Sequence, residues 1–240
     1  MNTVSSTEDS AIRQWISAGF YAVCALCLLN NFLFPFFVDY FKIALPFSVK
    51  LFLPQFLNIA LLGISACTFR NIPLKEKFQW NIPSPFPVMP IVTAVLFLLV
   101  ASLSLGYAMY TAGKYLNIEL PQQSLPDLIR KNPYSPQALM IIFSAVIIAP
   151  VTEECMFRRF FFAKVNMFFN YHTAAVITAA TFSALHCNLL HAPALFVMGL
   201  ILQGTMRKTG SLLTPILIHS LFNASNVLLI MLVHNLLSDI

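Results

Sequence analysis

Apolar stretches long enough to cross a bilayer, roughly 20 residues each, recur along this chain, from "ISAGFYAVCALCLL" to "NVLLIMLV". Of its 240 residues 58% are hydrophobic and only 10% are charged, against about 25% charged in an ordinary soluble domain. Mean hydropathy is +0.78. A soluble fold of this composition would need an unusually apolar core with little charged surface. The chain therefore reads as all-α, a polytopic transmembrane helical bundle of about seven (six to eight) membrane helices. The expected spans are 15–38, 51–69, 90–113, 137–157, 171–190, 192–206 and 212–235.

Polar segments divide these spans. Residues 1–14 form a polar tail with Glu8 and Asp9; it lacks the basic start and small-residue cleavage site of a signal peptide, so the first span is expected to be retained. The connections "RNIPLKEKFQWNIPSPFP" and "KYLNIELPQQSLPDLIRKNPYSPQ" carry the prolines and mixed charge of loops outside the hydrocarbon. "DYFKIALPFSVKLFLPQF" has room for an additional interfacial or re-entrant helix. No internal repeat stands out. The expected organisation is one membrane domain, 15–235, with transmembrane helices and loops over 15–130.

The net charge of +5 comes from basic residues scattered in ones to threes through the loops. Headgroups and the positive-inside rule account for them, and no nucleic-acid partner is implied. With the N-terminus inside, nine Lys/Arg fall in cytoplasmic segments and five outside, the margin coming mainly from Arg158, Arg159, Lys164, Arg207 and Lys208. Cys24 and Cys27 form a CxxC inside an apolar helix with no further ligand nearby, which favours buried membrane cysteines over a redox or metal site.

Polar residues inside such helices are costly and usually functional. Three groups share helical spacing: Glu153 and Glu154 followed by Arg158, Phe182 four residues before His186, and His219 four residues before Asn223. Residues at i and i+4 share a helix face, so three helices can offer polar patches to one interior. Adjacent helical residues point about 100° apart. Glu154 has Arg158 one turn later and is expected to pair with it. Glu153 has Phe157 at that position and no local cation, which leaves it free to face a cavity as a base for water. Each patch alone also suits packing: an ion pair at a helix end, a hydrogen-bonded histidine, or interhelical polar contacts. His172, His191 and His234 lack a patterned partner and are read as having no role in a site.

Taken in order, "EECMFR" (153–158), "FSALH" (182–186) and "HSLFN" (219–223) resemble the EExxxR, FxxxH and HxxxN motifs of the CPBP family, which contains the CAAX prenyl endopeptidases and the bacteriocin-processing, or Abi, proteins. The resemblance covers roughly residues 137–226. Arg159 stands where glycine is common in the family, and Gln203 where a small residue is common. The resemblance implies an intramembrane endopeptidase in which Glu153 and His186 activate a water. In it His219 and Asn223 donate to the tetrahedral oxyanion, while Glu154, Arg158 and Phe182 support them. It also favours a metal-independent mechanism and no cofactor, with zinc held by Glu153, His186 and His219 as the alternative.

The expected partners are a peptide or membrane-protein substrate and the lipid bilayer itself. The expected location is a bacterial inner (plasma) membrane, since the chain is compact with short tails. Two other functions share the same residues: a proton-coupled transporter using Glu153 and His186 as a relay, and a catalytically silent immunity or scaffold protein.

Overall fold

The computed structural model describes residues 3–68, 72–118 and 124–238, with side chains described over 9–68, 72–118 and 126–233. The first eight side chains of the polar tail, residues 119–123 of the second polar connection and the His234 side chain lie outside them. Every regular element among the described residues is helical. Helix α1 (Thr3–Leu28) runs through a π-turn (Leu29–Leu33) into Phe34–Tyr40. It is followed by α2 (Phe47–Cys67), the short α3 (Leu74–Phe78), α4 (Val88–Leu116) and α5 (Ser124–Lys131). Helix α6 spans Pro136–Val165. Then come α7 (Tyr171–Leu185), α8 (Ala192–Thr209) and α9 (Leu213–Ser238).

Among the described residues, five helical segments are long and apolar enough to cross a membrane: Asp9–Tyr40, Phe47–Cys67, Val88–Leu116, Pro136–Val165 and Leu213–Val233. The chain is thus a polytopic helical membrane protein. The segments expected at 171–190 and 192–206 correspond to α7 and α8, of 15 and 18 residues. At 1.5 Å per residue they extend about 22 and 27 Å, short of the ~30 Å hydrocarbon. Apolar residues in the turn joining them lengthened the hydropathy signal. The two form a hairpin in which a Cβ on Gly199 would lie 2.9 Å from that of Ala179, so the glycine lets the helices approach closely. The stretch 41–46 is a turn and irregular chain, and the helix after it is the start of α2.

One end of the bundle is tied together by buried polar side chains. Trp15 of α1 packs edge-on against Phe78 and tilted against Phe160, and its Nε1 donates to Ser65 O at 2.9 Å. Gly19, one turn on, leaves room for the Phe160 ring, which a Cβ would meet at 2.1 Å. Lys77 is buried, and its Nζ donates to the carbonyls of Ala66 and Thr68 at 2.8 and 2.6 Å. It thereby serves carbonyls at the α2 C-terminus that lack helical partners. Arg159 donates in turn to Lys77 O and Glu76 O at 2.5 and 3.0 Å. The side chain that departs from glycine thus clamps α3 onto α6. Leu212 N–H donates to Gln79 O at 3.1 Å, joining the loop after α3 to the α8–α9 turn.

Helix α6 carries the two glutamates and is not a regular α-helix. It contains π-turns at Ser144–Ile148 and Cys155–Phe161, on either side of a short α-helical piece, Ala149–Glu154. Such turns are frequent at functional sites. The first has a local cause. Ala149 N–H bonds to Ser144 O, five residues back. In that register the next donor would be residue 150, a proline without an N–H. The Ala145 carbonyl is thereby left for a partner outside the helix.

Candidate active site

Glu154 is fully buried and fully engaged. Arg158 Nε donates to its Oε2 at 2.7 Å, Arg158 Nη2 lies 3.5 Å from Oε1, and His219 Nδ1 donates to Oε1 at 3.1 Å. The i, i+4 pair read from spacing is present, and α9 adds a third donor. The carboxylate thus holds α6 and α9 together at the centre of the bundle, with the charge-assisted hydrogen bonds that a buried ion pair requires.

Glu153 has a different environment. Its side chain is 23% exposed, and among the described residues Oε2 has no hydrogen-bond partner although that atom is itself shielded from solvent. The nearest cationic or imidazole nitrogen is His186 Nε2, at 4.0 Å. His186 sits at the C-cap of α7, with its side chain 30% exposed. Its Nδ1 lies 2.7 Å from Phe182 O. A carbonyl only accepts, so Nδ1 carries the proton and the neutral ring presents a lone pair at Nε2. With the ring in its neutral form, Glu153 Oε2 and His186 Nε2 face each other as two acceptors, 4.0 Å apart and beyond a direct hydrogen bond.

Phe182 is the hub of this arrangement. Fully buried, it stacks tilted on His186 (4.7 Å between centroids) and lies edge-on to His219 at 6.1 Å. The Arg158 guanidinium lies 5.7 Å from its centre. Phe157, one turn after Glu153, packs edge-on against it at 5.1 Å. One aromatic ring thereby spaces both histidines and the arginine.

The structure brings Glu153 to His186 and Glu154 to Arg158 and His219, with Phe182 touching both groups. It does not place His219 within ion-pair distance of Glu153. Asn223 Nδ2 donates at 2.8 Å to Ala145 O, the carbonyl released by the π-turn and Pro150. Spacing did not reveal this contact; Pro150, three residues before the glutamate pair, was the available signal. Cys24 and Cys27, read from the sequence as buried, are partly buried free thiols. His172 is exposed, and the residue before α8, His191, has its backbone N–H bonded to Asn188 Oδ1 at 3.1 Å. Gln203 is buried, and its Oε1 has no partner among the described residues.

Among the described residues, no three His, Cys, Asp or Glu side chains are placed to hold a metal ion. Of the zinc set Glu153, His186 and His219, only Glu153 and His186 lie within 4.0 Å of each other, while His219 Nδ1 bonds Glu154. In this arrangement those residues do not fit a three-ligand catalytic zinc site.

Residues 135–225 match the family model described as "Type II CAAX prenyl endopeptidase Rce1-like". An Escherichia coli protein named "Uncharacterized 24.3 kDa protein" is 29% identical over 130 residues, covering 50% of this chain and 58% of the relative. The Bacillus subtilis (strain 168) protein named "Putative membrane peptidase YdiL" is 29% identical over 107 residues, covering 45% of this chain and 41% of the relative. This chain thus spans about half the length of the curated relatives it matches. No solved structure matches it. The matched segment contains all three motif pairs and the Glu154, Arg158, Phe182 and His219 side chains, and over it the chain is similar to the Rce1-like type II CAAX prenyl endopeptidases.

Proposed function

We propose that this protein is an intramembrane endopeptidase that hydrolyses a peptide bond near the membrane with a water held by Glu153 and His186. The observation that carries the reading is the unpartnered Glu153 Oε2 facing His186 Nε2 across 4.0 Å. A water donating one proton to each acceptor would satisfy both and leave a lone pair directed at substrate. Attack forms the bond between water oxygen and carbonyl carbon, and one water proton passes to Glu153. The carbonyl oxygen becomes the oxyanion. Collapse of the tetrahedral intermediate breaks the C–N bond, and the proton on Glu153 passes to the leaving amine.

His219 is the proposed oxyanion donor. With its Nδ1–H given to Glu154, Nε2 donates only when the ring carries both protons, and the cationic form then stabilises negative charge in a water-poor interior. Asn223 is the second proposed donor, and its bond to Ala145 O has to be exchanged or shared for that role. Glu154, Arg158 and Phe182 position the histidines. The substrate class suggested by the family is a CAAX-type terminus; leader or other membrane peptides fit the same chemistry. The bundle is assigned to a bacterial plasma membrane, its basic end facing the cytoplasm.

The test is hydrolysis of fluorogenic peptides, prenylated and unprenylated, by purified protein. Wild type is expected to cleave at least one class, and exhaustive chelation is expected to leave the rate unchanged. Loss of turnover on chelation with recovery on adding zinc would overturn the metal-free mechanism. Cleavage by Glu153→Gln at the wild-type rate would overturn the assignment of the base.

A further inference from the structure

A cavity of about 350 Å³ opens at the basic end of the bundle, lined by three arginines, Arg158, Arg159 and Arg207, together with Gln79, Asn166 and Gln203 among its polar residues. Tyr171, at the start of α7, also lines it, whereas His186 caps the far end of the same helix. Fifteen helical residues separate the two by about 22 Å, so this cavity is not the Glu153–His186 site.

We propose that this cavity binds a phosphate-class anion. Among the described residues no carboxylate lines it. Of the three arginines, Arg158 alone has a carboxylate of the described residues within 4.0 Å, and that carboxylate is Glu154, outside the lining. Arg158 is fully buried, yet its Nη1 has no hydrogen-bond partner among the described residues. A buried donor on a charged group left unpaired is costly, and an oxyanion in the cavity supplies the missing acceptor.

Arg207 is exposed and its guanidinium carbon lies over the Tyr171 ring, 3.9 Å from its centre. That contact presets a planar fork at the rim, the geometry with which arginine takes two phosphate oxygens. The buried Gln203 Oε1 is an acceptor without a donor, which favours an anion that also carries an O–H. Water alone, at roughly 30 Å³ per molecule, also fits the space but leaves the arginine charge unneutralised. A glycerol-bearing lipid headgroup and free dihydrogen phosphate both supply an oxyanion and a hydroxyl. The proposal does not rest on the peptidase reading, because binding is measured without turnover.

Two tryptophans report on the cavity. Trp15 lies 5.7 Å from the Arg159 guanidinium, and Trp80 follows Gln79 in sequence. Purified protein in neutral detergent is titrated with dioctanoyl phosphatidylglycerol, dioctanoyl phosphatidylcholine or inorganic phosphate while tryptophan emission is followed. A saturable response to phosphatidylglycerol but not to phosphate identifies a lipid headgroup; a response to phosphate identifies a soluble anion. Arg207→Gln is expected to weaken binding roughly tenfold, the worth of a charge-assisted hydrogen bond. Lys208→Gln, an exposed neighbour outside the lining, is expected to change it by less than about twofold, as for a screened surface charge. Asn166→Leu alters the lining without changing charge and is expected to weaken binding as well; it decides the matter should Arg207→Gln not fold. The proposal is overturned if neither anion saturates, if phosphatidylcholine matches phosphatidylglycerol, or if Lys208→Gln costs as much as Arg207→Gln.

Discussion

Two adjacent carboxylates on α6 occupy regions of opposite character. Around Glu154 both carboxylate oxygens are met: the side chain is fully buried, and Arg158 and His219 supply three contacts from two helices. Around Glu153 the side chain is 23% exposed, one oxygen lacks a partner among the described residues, and the facing histidine stands 4.0 Å away. The helix turns by about 100° between them, enough to give one to the bundle interior and the other to a partly open face. A saturated charge holds the structure; an unsatisfied one is available for chemistry.

The sharpest way to break this contrast is to strand the saturated member. Arg158→Ala leaves Glu154 buried without its guanidinium and is expected to cost about 3–5 kcal/mol, the range for a broken buried pair. Folded protein recovered from membranes, with its thermal midpoint, measures the loss. A variant of normal stability would show that His219 suffices to hold the carboxylate. A smaller effect is expected at the α1–α6 contact. Gly19→Ala places a Cβ 2.1 Å from the Phe160 ring and should cost about 1–3 kcal/mol by overpacking, without altering turnover per folded molecule.

Part of this design is legible in the sequence, and the division follows distance along the chain. The Glu154–Arg158 pair and the Phe182–His186 contact are each four residues apart on one helix, where spacing alone predicts proximity. His219 reaching Glu154 joins residues 65 apart in sequence, and helical periodicity says which face a residue shares but not which neighbouring helix meets it. Asn223 is hidden for a different reason. Its partner carbonyl is free because a π-turn and Pro150 together remove the backbone donor, whereas a periodic pattern assumes a regular helix. Arg159 is legible only as a departure from glycine; its clamp on the carbonyls of Glu76 and Lys77 depends on α3, whose five residues are too few to carry a periodic signal. Hydropathy counts seven spans because it registers α7 and α8, which are apolar but only 15 and 18 residues long.

The Asn223 contact gives the smallest and most specific prediction. Asn223→Ala is expected to cost about 1–3 kcal/mol by leaving Ala145 O unpaired. Pro150→Ala restores a backbone N–H in the register that reaches Ala145 O. In that background the cost of Asn223→Ala should shrink by about 1 kcal/mol, a coupling that a double-mutant cycle resolves. Full additivity would show that Pro150 does not create the need for Asn223. If Asn223 also serves the oxyanion, turnover per folded molecule falls by about 10²–10³ in both backgrounds.

The central claim is that neighbouring glutamates divide structure from chemistry, and the paired amide substitutions test it directly. Glu153→Gln and Glu154→Gln change the same atoms one residue apart, so turnover on a cleaved peptide and the thermal midpoint of purified protein can be compared side by side. The account predicts that Glu153→Gln keeps its midpoint, since a neutral amide is cheaper to bury than a charge, while cleavage collapses. It predicts that Glu154→Gln loses several kcal/mol of stability, about the 3–5 kcal/mol of a broken buried pair, because Arg158 is left buried without its anion. A stable, inactive Glu154→Gln beside a destabilised but active Glu153→Gln would contradict the assignment.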